Sequence, residues 1–297
     1  MSTSAPPDVP PGEGSLARPG PAPASGREVI YRHTLAVRLT HWINLACLVL
    51  LLMSGLQILN AHPRLYWGQS GADADPAFIE MIARGGDRDH PIGVTRIAGR
   101  GFVTTGLLGV SAEADGTMVP RGLPGWATLP SFRDLAAGRR WHFFTAWLFA
   151  INGLVYLGFG LGNRHFSRDL APTAEQIKPR HILRELWDHV RLKPPRGESA
   201  RSYGLLQKLA YLIVIFLLLP AMALTGLTMS PGMDAALPGL LDLFGGRQSA
   251  RTIHFLSADL IVLFVVAHVA EVLLAGAVNE VRSMITGRYV VPPETRR

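Results

Sequence analysis

The sequence predicts an all-α membrane protein, a four-transmembrane-helix bundle with a long external loop between its first and second helices. Three observations predict it. Charged residues make up 17% of the 297, against roughly 25% in an ordinary soluble domain. Uncharged stretches alternate with arginine-rich ones, an alternation that the mean hydropathy of +0.22 averages away. Four of the stretches, at about 39–59, 141–161, 209–229 and 253–274, reach the roughly 20 mostly apolar residues that cross a bilayer.

Taken in order, residues 1–28 are rich in Pro, Gly, Ser and Ala and lack the apolar run of a signal peptide, so a disordered tail is expected. A single membrane domain is expected over 29–289, followed by a short tail at 290–297. The first span holds the uninterrupted apolar run Leu45–Met53. The segment 60–140 is punctuated by Gly and Pro and carries an apolar patch, Phe102–Val110, which suggests a small folded cap rather than a linker. The third span contains Pro220, which should kink it; membrane bundles tolerate such prolines.

Lysine and arginine counts set the expected orientation. The link 163–204 carries nine of them, and the link between the third and fourth spans carries two, Arg247 and Arg251. Both termini and the 163–204 link are therefore expected in the cytoplasm, and 60–140 outside. The net charge of +7 does not indicate a nucleic-acid binder, because the basic residues sit between apolar segments rather than in one patch. One cysteine, Cys47, excludes an internal disulfide, an iron–sulfur cluster and covalent c-type haem.

Four of the ten histidines fall within or at the edges of the spans: His41, His142, His254 and His268. A lone histidine there can simply hydrogen-bond a neighbouring helix, so the arrangement has to decide. His254 and His268 are 14 residues apart on one span, which separates them by about 21 Å along the axis and only about 40° around it. The first span starts inside and the second outside, so His41 lies at the inner level and His142 at the outer. Two levels result, His142 with His254 and His41 with His268, and each can give two axial nitrogens to a haem iron. The third span has no histidine and is expected to serve as packing. Gly55 and Gly153 fall on the faces of His41 and His142, where a porphyrin needs small neighbours, although glycine is common in membrane helices anyway. Arg139, Arg140 and Arg251 beside the outer pair, and Arg38 beside the inner, can meet anionic haem propionates or act as ordinary interfacial anchors. Asp259 is expected to face the bundle and Glu271 to be a solvated end residue. His33, His62, His90, His165, His181 and His189 read as surface residues. No residue is assigned a catalytic role.

The stretch Arg38-Leu-Thr-His41-Trp42-Ile-Asn44, the Arg139-Arg140-Trp141-His142 entry to the second span, the two histidines of the fourth span and the run Asn279–Tyr289 resemble the bacterial four-helix, di-haem b-type cytochromes. These are membrane subunits of nickel–iron hydrogenases, formate dehydrogenases and thiosulfate-reductase-type molybdenum enzymes. The resemblance covers about 31–289, and Ala61–Gly68 with the long insert looks most like the thiosulfate-reductase-type branch. It implies two haems b per chain on His41, His142, His254 and His268, and quinone exchange at one haem level. It further implies a place in the bacterial inner membrane and a periplasmic partner, of molybdopterin-dependent type in that branch. The expected function is a respiratory electron carrier between membrane quinone and that oxidoreductase. The alternatives are a haem-free proton-coupled transporter and a plain membrane anchor.

Overall fold

Residues 28–87, 90–191 and 203–292 are described by the computed structural model. The described chain enters on β1 (Val29–Tyr31) and runs into α1 (Leu35–Leu59). Six strands follow: β2 (Arg64–Leu65), β3 (Ile79–Gly86), β4 (Pro91–Ile97), β5 (Arg100–Val103), β6 (Val110–Ala112) and β7 (Met118–Pro120). After α2 (Leu135–Gly162) and a shorter α3 (Pro179–Val190) come α4 (Leu205–Ile213) and α5 (Leu219–Thr228), which form one span. Two short helices, α6 (Pro231–Ala236) and α7 (Pro238–Leu243), lead into α8 (Arg247–Thr286), and β8 (Arg288–Val290) closes the described chain. The expected tails at 1–28 and 290–297 lie, apart from Glu28 and residues 290–292, outside the described residues.

Four helices are long and apolar enough to cross a membrane, and at most 22% of the most apolar window of each is buried within the protein. Their apolar side chains therefore point outward, as in Phe144, Trp147, Leu154, Leu217 and Leu263. Water cannot cover so continuous an apolar belt, and lipid can. Most positions buried between the helices are small or polar instead, among them Thr40, Ser54, Thr145, Asn152, Thr225 and Ser257. That inversion is the packing expected where helices associate through close contact and hydrogen bonds rather than through hydrophobicity. Asn152 shows it, with Nδ2 donating to the Thr40 carbonyl at 2.9 Å and to Asn44 Oδ1 at 2.7 Å, which ties α2 to α1.

The helices are longer than their apolar cores because polar caps extend them. The Asp134 carboxylate accepts from the Ala137 N–H at 2.8 Å and starts α2 seven residues before its first histidine, His142. In the third span, Pro220 brings no N–H and crowds the preceding turn. The chain answers with a π turn at Val214–Leu218, where the Leu219 N–H reaches back to the Val214 carbonyl. The kink expected at Pro220 takes this form. Gly276 breaks α8 with φ 109° and ψ 83°, just beyond the expected end of the fourth span at 274.

The all-α expectation is corrected by the segment between α1 and α2. It folds as a four-stranded antiparallel sheet in the order β2-β3-β4-β5 with a separate β6–β7 hairpin. Ile79-Glu80-Met81 alternates, Val94, Thr95 and Ile97 are β-branched, and Gly stands at the turns, a strand pattern. This cap shares its core with the end of the bundle: Leu59, Leu65, Ile79, Met81 and Leu123 pack with Phe255 and Leu256 of α8. At the opposite, tail end, β1 pairs with β8, Val29 facing Val290 and Tyr31 facing Arg288. Gly287 makes that clasp possible. Its φ is +81°, and an added Cβ would stand 2.5 Å from Tyr31 Cε2 and 2.8 Å from the His33 carbonyl oxygen.

Candidate cofactor site

The chain runs toward the cap in α1 and in the third span, and away from it in α2 and α8. His142 and His254 therefore fall at the cap end, and His41 and His268 at the tail end. At the cap end the His142 and His254 ring centroids are 6.3 Å apart with the planes at 64°. At the tail end those of His41 and His268 are also 6.3 Å apart, at 69°. A metal held by one nitrogen from each ring needs two bonds of about 2 Å and about 1 Å within each ring, which sets centroids about 6 Å apart. Among the described residues no three His, Cys, Asp or Glu converge on one point. Two imidazoles are an incomplete set for a free ion but a complete axial set for an iron whose other four positions a porphyrin fills. The donor set and its spacing fit haem.

Each cap-end ring rests on a neighbouring helix. Ser54 Oγ on α1 is 3.1 Å from His142 Nδ1, and Thr225 Oγ1 on α5 is 3.0 Å from His254 Nδ1. Glycine follows each hydroxyl. A Cβ on Gly55 would be 3.3 Å from His142 Cε1, and one on Gly226 would be 3.5 Å from His254 Cε1. The third span, expected to be packing alone, thus contributes to the site through a hydroxyl. At the tail end the rings are held by aromatics: Phe264 stacks on His268 at 5.9 Å and 11°, and Trp42 meets His41 edge-on at 5.4 Å. Trp42 is itself fixed, its indole N–H donating to the Met284 carbonyl at 3.0 Å.

The four arginines differ. Arg38 is half-buried one turn before His41, and its Nε is buried with no partner among the described residues. An anionic acceptor beside His41 would satisfy it. Arg251, half-buried one turn before His254, donates from Nη2 to the His62 carbonyl at 2.6 Å. Arg139 and Arg140 are both exposed, with the Arg139 guanidinium over the Phe143 ring at 5.6 Å. Arg140 lies about 160° around α2 from His142, on its far side.

Three other expectations change. Asp259 is on the exposed face of α8 rather than inside the bundle, with no hydrogen-bond partner among the described residues. Five positions past His254 is about 140° around the helix, which turns it outward. Glu271 stands 3.7 Å from His189 and links α8 to α3. His33 is not a surface residue. The β1–β8 clasp leaves it 8% exposed, and burial followed by the neighbouring Arg32 charge pushes its pKa down to about 4. On α2, an added Cβ at Gly153 would meet nothing within 4 Å among the described residues, so that face has open space.

Residues 32–287 match the family described as prokaryotic cytochrome b561. The putative protein-methionine-sulfoxide reductase subunit YedZ1 of Azospira oryzae is 28% identical over 248 residues, which is 84% of this chain and 93% of the relative. No solved structure matches. A four-span bundle with imidazoles paired at both ends, matched over most of its length, is a haem-binding membrane protein of electron transport, and the chain belongs to the prokaryotic cytochrome b561 family.

Proposed function

We propose that this chain binds two haems b, one between His142 and His254 and one between His41 and His268, and passes electrons between membrane quinone and an oxidoreductase docked at the cap. One observation carries the reading: two imidazole pairs with the same 6.3 Å spacing, separated by about 21 Å along α8. When bound, haem supplies a one-electron iron couple whose potential is set by axial ligands, burial and hydrogen bonding. The protein's own residues hold and shield it. The histidines would hold the group through their ring nitrogens, and the lipid-covered helices would keep water out. Arg38 at the tail end, and Arg251 and Arg139 at the cap end, would pair with its propionates.

The cap faces the periplasm in this reading and carries the docking surface. The name of the Azospira oryzae relative makes a methionine-sulfoxide reductase the leading partner class, and a molybdopterin-dependent partner suits the resemblance of the insert. Quinone meets the chain within the bilayer.

The deciding experiment is a dithionite-reduced minus air-oxidised spectrum of the detergent-purified protein, with haem measured as the pyridine haemochrome. Two haems b per chain are expected. One haem would remove a pair from the reading. None in a folded sample would return the histidines to proton handling or packing.

A further inference from the structure

The two cap-end histidines are held by a repeated device. Ser54 donates its hydroxyl proton to the Leu50 carbonyl at 2.6 Å, and Thr225 donates its own to the Ala221 carbonyl at 2.5 Å. With that proton committed, each hydroxyl oxygen can only accept from the imidazole beside it, so Nδ1 must carry the hydrogen. Both rings are left with an unprotonated Nε2. Ser54 is wholly buried and so is Thr225, which keeps water from competing for these bonds.

The tail-end pair has nothing comparable. Among the described residues neither the His41 nor the His268 ring makes a hydrogen bond, and aromatic contacts orient both. The two ends therefore differ in the one feature that tunes an imidazole ligand from behind. A hydrogen bond accepted from Nδ1–H moves electron density toward Nε2 and makes it a stronger donor. A stronger donor favours the ferric state over the ferrous and lowers the midpoint potential.

We propose that Ser54 and Thr225 are positioning residues that fix both cap-end histidines as Nδ1–H tautomers and hold the cap-end haem at a lower midpoint than the ligands alone would give it. The proposal rests on the two-haem reading. It assigns α1 and the third span a share in the redox chemistry, although the third span contributes no ligand.

The test is a spectroscopic redox titration of the purified full chain, with haem per chain measured alongside. His254→Ala, which removes a cap-end ligand, identifies the cap-end component. Ser54→Ala and Thr225→Val should each keep both haems and raise the midpoint of that component alone, and the double variant should raise it further. Ser54→Thr and Thr225→Ser keep the oxygen while changing the packing, and should restore the original midpoint. An unmoved midpoint, or equal movement of both components, would overturn the proposal. So would a shift in the oxygen-retaining variants, which would assign the effect to packing. Loss of haem from the Ala and Val variants would make the hydroxyls elements of assembly rather than tuning. Absence of haem from the unaltered protein would instead sink the two-haem reading, a separate failure seen before any variant is made.

Discussion

The Thr252 hydroxyl donates to the Tyr66 carbonyl at 2.6 Å, which bonds the cap to α8 two residues before His254. Around it, Gly68 closes the start of the helix. Its carbonyl accepts from the Gln248 and Ser249 N–H groups at 3.0 and 3.1 Å, and its own N–H donates to Ser249 Oγ at 2.7 Å. A cap residue thus plays the part that an N-cap side chain plays elsewhere. Gly246 at φ 115° allows the approach, since a Cβ there would be 2.5 Å from the Gly68 carbonyl oxygen. The position of a cap-end ligand is therefore set partly by the cap.

Breaking this clamp should be felt first at the nearer haem. Thr252→Val keeps the shape and removes the donor, leaving the buried Tyr66 carbonyl without its partner. Such a change costs about 1–3 kcal/mol. The expected outcome is a lower melting temperature in detergent and earlier loss of the cap-end haem on heating. Simultaneous release of both haems would show that the clamp does not act locally.

How much of this was legible in the sequence depends on whether a feature lives on one helix or between two. The pairing of levels was legible because it needs only span direction and the 14-residue spacing of His254 and His268. The outward turn of Asp259 and Arg140 was also calculable from about 100° per residue. The Ser54-Gly55 and Thr225-Gly226 cradles were not, since a hydroxyl before a glycine on a membrane helix looks like ordinary close packing until the neighbouring ring is in place. The strands of the cap were less legible, because Val94-Thr95-Arg96-Ile97 does not alternate and the four spans dominate the composition.

Single ligand changes should divide the haem content by end. His254→Ala is expected to leave one haem per chain with the tail-end midpoint, and His268→Ala one haem with the cap-end midpoint. Pyridine haemochrome assay and redox titration read both. Removal of the same spectral component by the two changes would break the pairing of His142 with His254 and of His41 with His268.

The proposed membrane orientation rests on the loop charges. An alkaline phosphatase fused within the exposed turn Glu113–Gly116 of the cap should be active in cells, because it would lie outside the cytoplasm. The same enzyme fused after residue 292 should be inactive. The reverse pattern would put the cap in the cytoplasm and move the proposed docking surface with it.

His33 should make the protein sensitive to mild acid. It sits beneath the clasp of β1 on β8, where burial and then the Arg32 charge lower its pKa from 6.5 to about 4. Between those values the unfolded chain takes up a proton at this position and the folded one does not. Stability must therefore rise with pH through that window and fall on acidification, by on the order of 2 kcal/mol at pH 5. Asp169 acts in a different range: the Arg168 hydrogen bond is first among the contacts that hold its carboxyl below 3.8, so its contribution is lost only in stronger acid. Melting temperatures of the purified protein between pH 7 and pH 5 should consequently decline, and His33→Gln should flatten the decline. If the two proteins lose stability in parallel, the acid sensitivity belongs to another group and His33 is not under the strain that its burial implies.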